Sequence, residues 1–195
     1  MPIELMPSQK QLYEDMVDKK EKYFRRNNII LFGKQQIGKT ELAKYMSQKG
    51  KNYKYVNFTK KHLENFILGE RLKNIRFNDF QDYLRITFNS EADKNTRIIL
   101  DEIDSVIIVI TEGDSYRLLN LYKQFLYMDL STEFIFVSSI FDNFILSNLI
   151  NDFRGRIYIL DFKKADKKHI IKHFYSNIGL FDTENITNLR QLLNR

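Results

Sequence analysis

Eight consecutive residues, Gly33-Lys34-Gln35-Gln36-Ile37-Gly38-Lys39-Thr40, combine two glycines, a lysine and a hydroxyl at a spacing suited to holding phosphate. The glycines let the backbone curl until successive amide N–H groups face an anion. A helix opening at the second glycine points its positive end at the same place. In such a loop Lys39 reaches the β- and γ-phosphates of a nucleoside triphosphate and the Thr40 hydroxyl ligates Mg²⁺. The stretch expected to touch the nucleotide runs from Gly33 through Glu41. A glycine turn can match this spacing by accident, so context decides. Here an apolar run, Asn28 to Phe32, precedes the loop and a helical pattern, Gly38 to Gln48, follows it.

A second constellation lies well downstream. Arg97-Ile98-Ile99-Leu100-Asp101-Glu102 is an apolar strand ending in two acids. Asp101 is placed to hold Mg²⁺ through water, and Glu102 to polarise an attacking water. A kinase acting on a bound acceptor needs no water-activating glutamate beside the magnesium aspartate. The pair therefore favours hydrolysis over transfer to a small molecule. No guanine-reading NKxD-like string stands in a suitable place, which favours ATP over GTP.

These groups need a scaffold that brings two strand ends together. Ser8 to Phe24 reads as a helix capped by Ser8, with Leu12, Met16 and Tyr23 along one side. Strands are expected at 28–32, 53–58, 97–100, 133–137 and 156–160, and helices at 60–68, 78–86, 115–127, 141–149 and 165–176. Alternating strands and helices imply a parallel sheet covered on both faces, with ligands bound beyond the carboxyl ends of the strands. Both prolines lie within the first seven residues and no Gly/Ser-rich linker follows, so one compact unit is expected.

Composition narrows the function classes. The chain has no cysteine, which excludes disulfides and thiolate metal sites. Apolar runs such as Val106 to Ile110 are too short to cross a bilayer, and the first residues lack a signal-peptide pattern, so a cytoplasmic protein without membrane contact is expected. A net charge of +6, concentrated in 19–26, 49–61 and 163–172, permits contact with nucleic acid without requiring it. His169 and His173 lie four apart on one helix face, but no third ligand accompanies them and lysines surround them, so a solvated basic face is the better reading.

With both motifs placed, the stretch from Asn28 to Phe174 resembles the AAA+ superfamily, and Asp101-Glu102-Ile103-Asp104 is typical of that group. The resemblance implies a three-layer α/β/α P-loop NTPase with a five-stranded parallel sheet and a short C-terminal helical appendage. It divides the chain into an NTPase domain, 1–164, and a truncated lid remnant, 165–195. It implies a polar sensor residue at the end of the fourth strand, where Ser138 and Ser139 stand and Ser139 is the better match. It implies an arginine finger before the fifth strand, reaching a neighbouring subunit's site. Arg154 and Arg156 are the candidates, and Arg154, beside Gly155, is freer to project. Arg190, in Asn188-Leu189-Arg190, resembles a sensor 2 arginine, although roughly 33 residues after Phe162 are too few for a full lid. The Gly33 to Thr40 loop, the Asp101-Glu102 pair and the segment from Phe153 to Leu160 together also resemble archaeal-type and STAND-related ATPases, close to origin-binding proteins and helicase loaders. The resemblance thus implies a homo-oligomeric ATPase that uses ATP and Mg²⁺ to remodel or load a protein or nucleic-acid partner. A non-hydrolysing, nucleotide-dependent scaffold is the alternative.

Overall fold

A four-residue strand as apolar as Ile29–Phe32 (β1) satisfies its backbone only between two other strands, and that is where it lies. In the computed structural model, which describes residues 5–22, 28–49, 52–71, 80–88, 96–128, 132–140, 142–164 and 166–168, five parallel strands follow the order β2-β3-β4-β1-β5. The other strands are β2 (Tyr53–Asn57), β3 (Arg97–Asp101), β4 (Glu133–Ser138) and β5 (Ile157–Ile159). The described helices are α1 (Pro7–Lys22), α2 (Lys39–Lys49), α3 (Lys60–Arg71), α4 (Phe80–Phe88), α5 (Asp104–Thr111), α6 (Ser115–Tyr127) and α7 (Asn143–Asp152).

The pleat divides the strand side chains between two cores. Ile29, Leu31, Ile99, Ile135 and Val137 face α1 and α2, packing on Met16, Leu42, Ala43 and Met46. Ile30, Phe32, Ile98, Leu100, Phe134 and Phe136 face the other way, into a larger aromatic core supplied by α3 to α7. There Phe125 stacks on Phe136 with centroids 4.4 Å apart, and Phe134 stacks on Phe136 at 5.6 Å. The result is the expected three layers.

Two local readings change. Ser8 is not the cap of α1: the helix begins at Pro7, and the Ser8 amide donates to Asp166 at 2.8 Å. The Ser8 hydroxyl is buried without a hydrogen-bond partner among the described residues. Gln9 does the capping instead, accepting from the Met6 amide at 2.7 Å. The other change is α5, a helix not expected from the sequence. Its run Val106-Ile107-Ile108-Val109 is β-branched and resembles a strand, yet Val106 and Ile107 are buried while Ile108 and Val109 are exposed. The helix 165–176, with His169 and His173, the lid remnant and Arg190 fall largely or wholly outside the described residues.

Asn28, just before β1, joins three elements. Its side-chain amide donates to the carbonyls of Phe125 and Met128, both at 2.9 Å, and its oxygen accepts from the Phe134 amide at 2.9 Å. The residue is 4% exposed, so no water replaces these partners. Asn28→Ala should therefore lower the unfolding free energy by about 2–4 kcal/mol, read as a fall in urea midpoint at constant slope. A loss below about 0.5 kcal/mol would mean the three backbone groups find other partners.

Candidate nucleotide-binding site

The loop after β1 leaves the sheet at Gly33, where the chain has no room for a side chain. A Cβ there would stand 2.5 Å from Ile37 Cδ1 and 2.8 Å from the Leu160 carbonyl oxygen. The loop then turns through two left-handed residues, Gln36 at φ 64° and Gly38 at φ 91°, before α2 begins at Lys39. Lys34, Gln35 and Gln36 are exposed along the rim, whereas Ile37 is buried against the smaller core. Thr40 and Glu41 occupy the first turn of α2, Thr40 partly buried and Glu41 exposed.

Lys39 is 7% exposed and its ammonium group donates to the carbonyls of Gly33 and Lys34, both at 2.8 Å. Burial lowers its pKa, opposed by the negative charges of Asp104, Asp101 and Glu41. The lysine of the loop and the acids after β3 thus share one electrostatic environment. Sequence positions far apart meet because β1 and β3 end on the same side of the sheet, separated only by β4.

Asp101 ends β3 with 2% exposure. One carboxylate oxygen accepts from the Glu102 amide at 2.9 Å and the other from the Tyr55 hydroxyl at 3.0 Å. Burial, together with the charge of Asp101, pushes the Tyr55 hydroxyl pKa up, so it stays a donor. Asn57, in register with Asp101 on β2, has a buried Oδ1 without a hydrogen-bond partner among the described residues. Glu102 is exposed and its backbone is left-handed, φ 59°, an uncommon conformation for a residue with a Cβ. That turn takes the chain off the strand and starts α5.

The end of β4 is held by a buried polar chain. Ser138, with 0% exposure, donates to Asp104 at 2.7 Å. Its only proton being used, the contact of 2.8 Å to Tyr122 must run from the tyrosine hydroxyl to Ser138. The Ser139 amide donates to the second oxygen of Asp104 at 2.7 Å. Ser138 therefore anchors the strand end, and Ser139, partly exposed, is the serine whose side chain lies nearer the solvent. Tyr122, Asp104 and Tyr55 were not singled out by pattern, and only Asp104, as the last acid of the Asp101–Asp104 string, carried a signal.

Arg154 and Arg156 lie elsewhere. They stand before β5, where the Ile30 amide donates to the Arg156 carbonyl at 3.0 Å, at the opposite end of the strands from the phosphate loop. The Arg156 guanidinium donates to the Leu126 carbonyl at 3.0 Å, whereas Arg154 is exposed in the turn. Asp152, two residues before Arg154, pairs with Lys123 at 2.7 Å.

A strand–loop–helix carrying Lys39, a buried acid two strands away, and an intervening strand with a polar tip form a recognisable assembly. The AAA domain family matches residues 25–162, most of the chain and nearly every element just described. The chain belongs to the AAA domain family. Its fold is similar to domain III of the replication initiation protein DnaA of Thermotoga maritima, with TM-score 0.50 and 15% identity over 97% of this chain and 82% of that one. It is also similar to a replication initiator DnaA bound to AMPPCP and single-stranded DNA, with TM-score 0.51 and 15% identity, covering 100% of this chain and 61% of that one. No curated protein matches the sequence. Family and fold together make this an AAA+ P-loop protein of the nucleotide-binding kind.

The loop geometry has a direct test. The Gln9 side-chain amide donates to the Gly38 carbonyl at 2.7 Å, and a Cβ on Gly38 would lie 2.4 Å from Gln9 Nε2. Gly38→Ala should cost about 1–3 kcal/mol, from left-handed strain and displacement of Gln9. In a Gln9→Ala background the same substitution should cost less, measured as a double-mutant cycle in urea. Equal penalties in both backgrounds would show that Gln9 does not constrain the loop.

Proposed function

We propose that the chain is a magnesium-dependent ATPase that works as an oligomer to remodel or load a protein or nucleic-acid partner. What carries the reading is the shared environment of Lys39 and Asp101, with Glu102 exposed one residue beyond. Lys39 would exchange its hold on the Gly33 and Lys34 carbonyls for the terminal phosphates, a charge-assisted contact stronger than the ones it leaves. Amides of the loop and the start of α2 would complete the phosphate cradle. Glu102 would accept a proton from the attacking water, and Ser139 would orient that water.

Magnesium fits the donors present. Thr40 and Asp101 offer hard oxygens, and the orphaned Oδ1 of Asn57 beside Asp101 is an acceptor suited to a metal-bound water. Among the described residues no cluster of three or more ligating side chains could hold a metal by itself, as suits an ion shared with phosphates and water. Bound there, magnesium would supply positive charge at the β- and γ-phosphate oxygens.

The partner part of this reading is supported by charge and by the similar structures. A net charge of +6 supports contact with nucleic acid, as does similarity to an initiator bound to single-stranded DNA. Among the described residues no helix is long and apolar enough to cross a membrane.

Binding and chemistry should separate. Lys39→Ala should weaken binding of a fluorescent ATP analogue by about ten- to hundred-fold, the worth of one charge-assisted hydrogen bond. Glu102→Gln should bind normally while turnover falls by about 10²- to 10⁴-fold. Unchanged affinity in a folded Lys39→Ala protein would reject the site. Wild-type protein that binds ATP yet shows no turnover, with or without DNA, would leave the nucleotide-dependent scaffold as the function.

A second expectation concerns sharing of the site between subunits. Arg154 is exposed at the end of the sheet remote from its own phosphate loop, a placement that suits a neighbour's γ-phosphate. Arg156, bound to the Leu126 carbonyl, is the less available of the two. Specific activity should rise with protein concentration by mass action. Arg154→Ala should lose turnover and keep nucleotide affinity, and mixing it with Glu102→Gln protein should restore part of the rate. Mixtures that assemble and stay inactive would exclude a shared site.

A further inference from the structure

The proposed mechanism leaves the Tyr55 hydroxyl unexplained. It projects from the middle of β2 toward the carboxylate of Asp101 on the neighbouring strand, 3.0 Å away, although the two residues are 46 apart in sequence. The contact is not an accident of strand pairing, because Tyr55 is in register with Ile99 and must reach along the sheet to meet Asp101. Tyr53, two residues earlier on the same face, directs its hydroxyl away from the site and accepts from Arg97 at 2.7 Å.

Asp101 carries a charge in a nearly closed setting, and a carboxylate at a strand end can rotate unless both oxygens are held. The Glu102 amide holds one oxygen and Tyr55 the other. Each oxygen keeps a further lone pair, so two donors fix the plane without exhausting its capacity to accept from metal-bound water. A phenol is well matched to this role. It donates one hydrogen bond to the carboxylate and brings no charge of its own beside the metal.

We propose that Tyr55 is a positioning residue for magnesium, orienting Asp101 so that the ion binds with nucleotide at lower free concentration. This role rests on the ATPase reading of the site. The hydroxyl acts through Asp101 and touches neither ion nor phosphate, as outer partners of metal ligands commonly do.

The test titrates MgCl₂ against wild type, Tyr55→Phe and Tyr53→Phe, each holding a fluorescent ATP analogue, with binding also measured in EDTA. Tyr55→Phe should raise the magnesium midpoint by about ten-fold, the lower end for loss of an outer partner, while its affinity in EDTA stays at the wild-type value. Tyr53→Phe should leave the midpoint unchanged, which separates positioning from general weakening of β2. If wild type fails to bind the analogue, the function proposed above fails first. If wild type binds and Tyr55→Phe shows an unchanged midpoint, the positioning role is overturned. A lower midpoint overturns it too, since the hydroxyl would then be competing with magnesium for Asp101.

Discussion

An ammonium group at 7% exposure must find its compensation within the protein, and the way Lys39 does so organises the whole end of the sheet. Two carbonyls of its own loop accept hydrogen bonds from it, and Asp104, Asp101 and Glu41 supply the opposing charge. For the carbonyls to converge, the loop must turn through Gly38 and leave β1 at a residue without a side chain. For the acids to converge, β3 must end within one residue of β1 across β4, which the shared pairing of Ile30 and Leu100 with Phe136 enforces. Burying one cation therefore constrains a loop, three strand ends and the start of a helix.

The two faces of the sheet differ in what they pack. The face beneath α1 and α2 is narrow and mostly aliphatic, and it ends in the phosphate loop and Asp101. The other face is a thick aromatic core whose upper edge carries Tyr122. Asp104 receives Ser138 and the Ser139 amide, and Ser138 receives Tyr122, so the aromatic core is tied by hydrogen bonds to the polar tip of β4. Packing on one face is thereby coupled to the geometry presented beside the phosphate loop.

Much of this was legible in the sequence, for local reasons. The strands announce themselves as short apolar runs, and α6 follows from its helical period, with Asp114 accepting from the Arg117 amide at its start. The phosphate loop and the Asp101-Glu102 pair are fixed by the chemistry of consecutive residues. What escaped was either locally ambiguous or long-range. The β-branched run of α5 suits a strand as well as a helix, and only the turn at Glu102 and the burial of Val106 and Ile107 decide it. Ser8 has the right type for a cap, yet its amide is taken by Asp166, 158 residues away. Tyr55 to Asp101 and Tyr122 to Ser138 are pairings between elements, and no spacing along the chain encodes them.

Glu102 carries one more implication, for how such a chain changes over generations. Its φ of 59° is comfortable for glycine and tolerable for asparagine or aspartate, whereas a glutamate there is held against a steric preference of about 1–2 kcal/mol. Selection for heat resistance alone would drift this position toward glycine or asparagine, and the protein would become sturdier as it lost the carboxylate. A lineage that keeps glutamate at this turn is being held there by something other than folding.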